Sequence, residues 1–169
     1  PPRGQNNVQG ATDIGVSPLN YPGYIPASDD ANRKKVAKIW NVAGESLPSK
    51  PGLTTIEIMQ AAHEGDIKGM YIMGENPVIT DPNQDHTIEA LENLDFLVVQ
   101  DILFTRTARL ADVVLPAAAF TEKAGAFTNM EGRIQNFTPV SQPPGEALPD
   151  WQILAMLAAR LGYPERYDT

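Results

Sequence analysis

Five polar residues, Asn76, Gln100, Asp101, Lys123 and Asp150, stand where short apolar runs end or where a helix is expected to begin. A carboxylate at such a place accepts two hydrogen bonds from ribose hydroxyls or from the N1 and N2 edge of guanine, and a lysine offsets a phosphate. Together they would make a nucleotide site. The ordinary alternative makes Asp101 and Asp150 caps, Asn76 a turn residue and Lys123 a surface charge. By spacing alone that alternative ranks ahead, because Asp and Asn at strand ends are common loop chemistry.

The elements that must position these residues follow from periodicity. Phe96 to Val99 is an unbroken apolar run rich in β-branched residues, as expected of a strand buried on both faces, and it ends in the polar pair Gln100-Asp101. Ligands of open α/β sheets sit beyond the carboxyl ends of strands, which singles out Asp101. Gly69 to Met73 is an earlier strand, closed by the turn-forming Gly74-Glu75-Asn76-Pro77. A helix over about Asp85 to Leu94 joins the two, and strand, helix, strand is a parallel crossover. A helical turn over Thr105 to Leu110 leads to a third strand, Asp112 to Leu115.

Ser28 before Asp29 and Asp30 reads as the N-cap of a helix ending near Trp40, and Thr54-Thr55-Ile56-Glu57 as a capping box whose helix stops at Gly65. A short strand is expected over Ile134 to Phe137. Asp150 is expected to cap a last helix with Ile153, Leu154, Leu157, Ala158 and Leu161 on one face. Residues 1–27, broken by Pro18, Pro22 and Pro26, read as a loop-rich arm. The sum is an α/β chain without internal repeats.

Composition removes several functions. The chain has 169 residues, enough for one core that buries roughly 70% of the unfolded surface, and a net charge of -8 with no basic cluster, which argues against nucleic acid. No cysteine is present, so disulfides, thiolate metal sites and a cysteine nucleophile are excluded within the chain. No apolar run approaches the roughly 20 residues of a membrane helix. Gly10 to Ser17 has Walker A glycine spacing, yet Val16 stands where the lysine must be. His63 and His86 lack ligand-type spacing and read as solvated helix residues. No Gly-x-Ser-x-Gly elbow supports a serine hydrolase. The opening Pro1-Pro2-Arg3, with neither methionine nor signal peptide, reads as the start of a piece of a longer protein.

Motifs spread along nearly the whole chain then acquire meaning by their order. They are Arg3-Gly4-Gln5-Asn6-Asn7-Val8-Gln9-Gly10, Asp13-Ile14-Gly15, Tyr21-Pro22-Gly23-Tyr24, Tyr71-Ile72-Met73-Gly74-Glu75-Asn76-Pro77, Val99-Gln100-Asp101, Ala111 to Pro116, Glu122-Lys123-Ala124-Gly125, Thr128 to Arg133 and Asp150-Trp151-Gln152. In that order the chain resembles the catalytic subunits of molybdopterin oxidoreductases, most closely the formate dehydrogenase alpha chain. Thr12 stands where the family has cysteine, a position that does not ligate metal.

The resemblance implies a Rossmann-like three-layer αβα sandwich with a mostly parallel sheet over residues 28–169, holding bis(molybdopterin guanine dinucleotide) with molybdenum or tungsten. It assigns Gly74, Asn76, Gln100, Asp101, Lys123 and Asp150 to that cofactor, which reverses the ranking of the two readings above. It gives the arm, 1–27, an active-site motif in which Arg3 holds the formate carboxylate and Gln5 lies close by. A planar guanidinium suits a carboxylate, and such a charge-assisted pair is worth roughly 1.5 to 3 kcal/mol.

The implied reaction is two-electron oxidation of formate to carbon dioxide by the intact subunit, the isolated fragment being inactive. Its [4Fe-4S] cluster, cluster cysteines and metal ligand would lie outside this chain. Implied partners are formate, the remaining domains of the same subunit and electron-transfer subunits, with no nucleic acid and no membrane insertion by this segment, in a cytoplasmic protein. The alternatives are a cofactor-less scaffold domain of a related respiratory complex, or another family member such as a nitrate reductase, against which the Arg-Gly-Gln-Asn-Asn wording argues.

Overall fold

The structure, a computed structural model, describes residues 6–163. They form two compact units, residues 6–56 with Ala126–Phe137, and Glu57–Gly125 with residues 138–163. Residues 28–56, grouped with the later sequence above, thus fall in the first unit.

The first unit opens with helix α1, Val8–Asp13, and a two-residue antiparallel ribbon of β1, Asn20–Tyr21, and β2, Ile25–Pro26. The arm is therefore less irregular than its prolines imply. Those prolines sit after α1 or at the ribbon ends, where a missing N–H is tolerated. Helix α2, Asp30–Trp40, is capped by Asp29, whose carboxylate accepts from Ala31 N at 2.7 Å, so the expected cap moves from Ser28 to the next residue. Asn41 in the left-handed conformation closes it.

The second unit carries the sheet. Helix α3, Thr55–His63, leads to β3, Gly69–Met73; α4, Pro77–Thr80, and α5, Gln84–Glu92, lead to β4, Phe96–Asp101; and β5, Val113–Pro116, follows. The strands lie in the order β3-β4-β5, all parallel. Pro77 at the first position of α4 makes a helical turn of what the sequence presents as a plain turn. In the stretch that from Ala126 on belongs to the first unit, β6, Gly125–Thr128, pairs with the expected β7, Ile134–Phe137. Asn129 shapes the loop between them, its side chain accepting from Glu131 N and Arg133 N. Helix α6, Asp150–Arg160, is the last helix among the described residues.

Two faces of the sheet follow from the side-chain period of two. Ile72, Leu97 and Val99 point into a dry core with Met59 of α3, Val78 of α4 and Ala90 and Leu91 of α5. The register places Met73 against Gln100 and Gln100 against Leu115, so these share the second face. There Leu115 borders a hollow of about 230 Å³ with Ile153 and Leu157 of α6. Helices thus flank a parallel sheet, as the αβα expectation requires.

Two expectations need correcting. β4 is not buried on both faces, since Phe96 is half-exposed on the second face, and its ladder runs on through Gln100 and Asp101, because Gln100 pairs on both sides. The apolar face of α6 is only partly buried: Ile153 is covered, whereas Leu154 and Leu161 are exposed. No helix among the described residues is long and apolar enough to cross a membrane.

Asp112 ties β4 to β5 at their start, its carboxylate accepting from Leu97 N at 2.7 Å while its own N–H donates to Leu97 O at 2.9 Å. Leu97 is 1% exposed at the centre of this core. Leu97→Ala is expected to cost about 2 to 5 kcal/mol in denaturant unfolding, and Phe96→Ala, on the open face of the same strand, clearly less.

Candidate functional site

The parallel sheet brings all six residues expected to bind a cofactor to one cavity. Gly74, Asn76, Gln100, Asp101, Lys123 and Asp150 line a space of about 460 Å³ at the carboxyl ends of β3 and β4. Each arrives for a local reason. Gly74 ends β3 with φ 66°, a left-handed value that favours glycine, and its N–H continues the ladder to Gln100 O at 2.9 Å. A Cβ built there would meet nothing within 4 Å, so the space beside it is open. Asn76 precedes α4, and its Oδ1 accepts from the Thr107 hydroxyl at 2.8 Å and from Thr107 N at 3.3 Å. Asp101 ends β4 and accepts from Leu103 N at 3.0 Å, turning the chain away from the sheet.

Asp150 behaves unlike a cap. It is the first residue of α6, with Pro149 at the N-cap position and no side-chain cap bond. Its carboxylate instead accepts from Gln100 Nε2 at 2.6 Å and forms an ion pair with Lys123. Gln100 is 0% exposed, and a buried amide must find partners for both its ends. An ionised carboxylate only accepts, so Nε2 faces Asp150, and Oε1 receives the Tyr71 hydroxyl. The result is a directed chain, Tyr71 to Gln100 to Asp150, met from the other side by Lys123.

Sequence reasoning missed Tyr71 and Thr107. Tyr71 lies two residues before the end of β3 on the face of Gln100, but only the β3–β4 register reveals that they meet. Thr107 is fully buried and also accepts from Val78 N at 3.3 Å, bracing the loop that holds Asn76; nothing in its sequence context marks it. His63 and His86, read as solvated helix residues, are half-buried and stack with ring centroids 4.6 Å apart. No group of three potential metal ligands occurs among the described residues.

Arg3 and Gln5 lie outside the described residues. The rest of their motif is anchored within the first unit: Asn7 takes φ 60°, and its Oδ1 accepts from Thr128 N at 2.9 Å. A Cβ at Gly10 would stand 2.2 Å from that same Oδ1, so only glycine leaves the Asn7 side chain its place.

The cavity is acidic, with Glu75, Asp101 and Asp150 outnumbering Lys123 as charges on its wall. That balance favours a ligand edge rich in N–H or O–H donors. The Asp150 charge also reaches Tyr71, whose hydroxyl is pushed above its ordinary pKa first by burial and then by that carboxylate. The stability linked to Tyr71 is therefore whole below about pH 10 and is lost as pH rises through its raised value. In an alkaline absorbance titration Tyr71 is expected to ionise late. Asp150→Asn should reduce the elevation without abolishing it, because burial is the larger cause.

Comparison with known proteins places this geometry. The family model described as Molybdopterin oxidoreductase matches residues 4–160. The chain is 49% identical over 168 residues to the F420-dependent formate dehydrogenase subunit alpha of Methanocaldococcus jannaschii, covering 99% of this chain and 24% of that protein. It is 44% identical over 168 residues to formate dehydrogenase H of Escherichia coli, covering 99% and 23%. The assimilatory nitrate reductase catalytic subunit of Bacillus subtilis is 41% identical over 160 residues, covering 94% and 22%. Among solved structures, acetylene hydratase from Pelobacter acetylenicus superposes with a TM-score of 0.61 at 27% identity, over 68% of this chain and 16% of that one. The chain spans less than a quarter of the length of each of these proteins. With a family model matching nearly its whole length, the chain belongs to the molybdopterin oxidoreductase family.

Proposed function

We propose that this chain is part of the catalytic subunit of a formate dehydrogenase, and that its cavity holds a guanosine arm of bis(molybdopterin guanine dinucleotide). The observation that carries the reading is the convergence of the six residues on one cavity at the carboxyl ends of parallel strands. The donor set fits such a group. Carboxylates at Asp101 and Asp150 match the N1 and N2 hydrogens of guanine or the ribose hydroxyls, and Lys123 supplies a cation for a phosphate. When bound, the cofactor supplies two-electron redox chemistry at molybdenum or tungsten. The tasks of this chain are to hold and orient it and, through Arg3 and Gln5, to hold formate.

The identities to two formate dehydrogenases support the substrate, and the Arg3-Gly4-Gln5-Asn6-Asn7 motif within the aligned stretch is the part of the chain that would contact it. The match to a nitrate reductase keeps nitrate as the second reading. Cysteines for a metal or a [4Fe-4S] cluster must come from elsewhere in the parent subunit, since this chain has none. The fragment alone is then expected to be inactive.

In the full-length protein, formate-dependent dye reduction is expected, with kcat/KM falling roughly ten- to hundredfold in Arg3→Ala as a charge-assisted contact is lost. Undiminished turnover in that variant defeats the role of Arg3, and nitrate reduction without formate oxidation selects the second reading. Metal and pterin both absent from the purified full-length protein would point to the scaffold alternative. Calorimetry on cofactor-free full-length protein should show guanosine diphosphate binding that weakens at least tenfold in Asp150→Ala; equal affinities would contradict the assigned site.

A further inference from the structure

We propose that Tyr71 is a positioning residue of this site: by donating to Gln100 it fixes the amide that in turn fixes the Asp150 carboxylate as the acceptor for the N1 and N2 edge of a guanine base. The inference rests on the reading that the cavity takes a guanine nucleotide. Tyr71 does not line the cavity, so any effect on binding must pass through another residue. The route is defined by the hydrogen bonds. Tyr71 OH donates to Gln100 Oε1, and Gln100 Nε2 donates to Asp150 Oδ1 at 2.6 Å. With the tyrosine in place Gln100 is 0% exposed, so the Tyr71 hydroxyl and not solvent satisfies Oε1.

Without the tyrosine hydroxyl, the amide oxygen loses its protein partner and can turn toward another donor, and Lys123 is the donor already at hand on Asp150. Such a turn takes Nε2 from Asp150 and Lys123 toward Gln100, and the carboxylate loses the two contacts that hold its orientation. The tyrosine is suited to its task because a phenol is protonated at neutral pH, and burial and the Asp150 charge extend that state further into alkali. It therefore donates throughout the neutral range. Phenylalanine would keep the ring in its place beside Val98, its partner in the ladder, and remove only the donor.

The test uses cofactor-free full-length protein, with guanosine diphosphate and adenosine diphosphate as probes in calorimetry. Tyr71→Phe is expected to weaken guanosine diphosphate binding roughly five- to twentyfold while leaving adenosine diphosphate unchanged, since adenine does not present the paired donors that Asp150 accepts. In a Gln100→Leu background the same substitution should have no further effect. Unchanged guanosine diphosphate affinity in Tyr71→Phe, equal losses for both nucleotides, or full additivity with Gln100→Leu would each overturn the role.

If Tyr71→Phe does not fold, 3,5-difluorotyrosine at position 71 replaces it. That residue keeps the donor at low pH and loses it as its more acidic phenol ionises, so guanosine diphosphate affinity should fall with that ionisation, and a flat pH profile would refute the proposal. Failure of the wild type to bind guanosine diphosphate at all removes the underlying reading of the cavity, and this inference with it, and is distinguishable because it appears before any variant is compared.

Discussion

A buried glutamine at the end of the central strand is the constraint on which the site depends. Gln100 has a ladder partner on each side, Met73 and Leu115, and no access to water, so its side-chain amide must be satisfied by neighbours. Those neighbours are Tyr71 from β3 and Asp150 from α6, so one polar group links an edge strand to the last helix. A half-satisfied network at this depth would be worse than an apolar residue. Its completeness explains why Asp150 points to the sheet instead of capping its own helix.

The same arrangement defines what the cavity can recognise. Lys123 and Gln100 each give one N–H to Asp150, and the rest of the wall is set by carboxylate oxygens, the remaining ammonium hydrogens of Lys123 and the open space beside Gly74. Parallel strands concentrate such groups at one end because every strand delivers its last residue to the same edge. Family membership gives that edge a meaning which a set of strand-end polar residues lacks on its own terms. The relatives differ in the substrates their names carry, from formate to nitrate, so the motif containing Arg3 bears the weight of the substrate assignment.

Much of the fold was legible in the residues. The runs Gly69 to Met73 and Phe96 to Val99, with a helix between them, encode a parallel pair by period and length alone, and the structure contains it. What local pattern could not encode was where polar side chains find partners. Asp150 looked like a cap because it precedes an apolar helix, and its true partners are 50 and 27 residues away in sequence. Tyr71 looked like one more strand residue. The β1–β2 ribbon was hidden by prolines, and the open face of β4 by an apolar run that reads the same whether or not its second side is covered.

On the proposed function, the cavity bounded by Asp101, Lys123 and Asp150 receives the guanosine end of the cofactor. The most direct measurement is the experimental structure of the cofactor-loaded full-length protein. A guanine or its ribose is expected within hydrogen-bond distance of Asp101 or Asp150. A fully loaded protein in which that cavity holds no part of the nucleotide, with Lys123 and Gln100 still closed on Asp150, would contradict it.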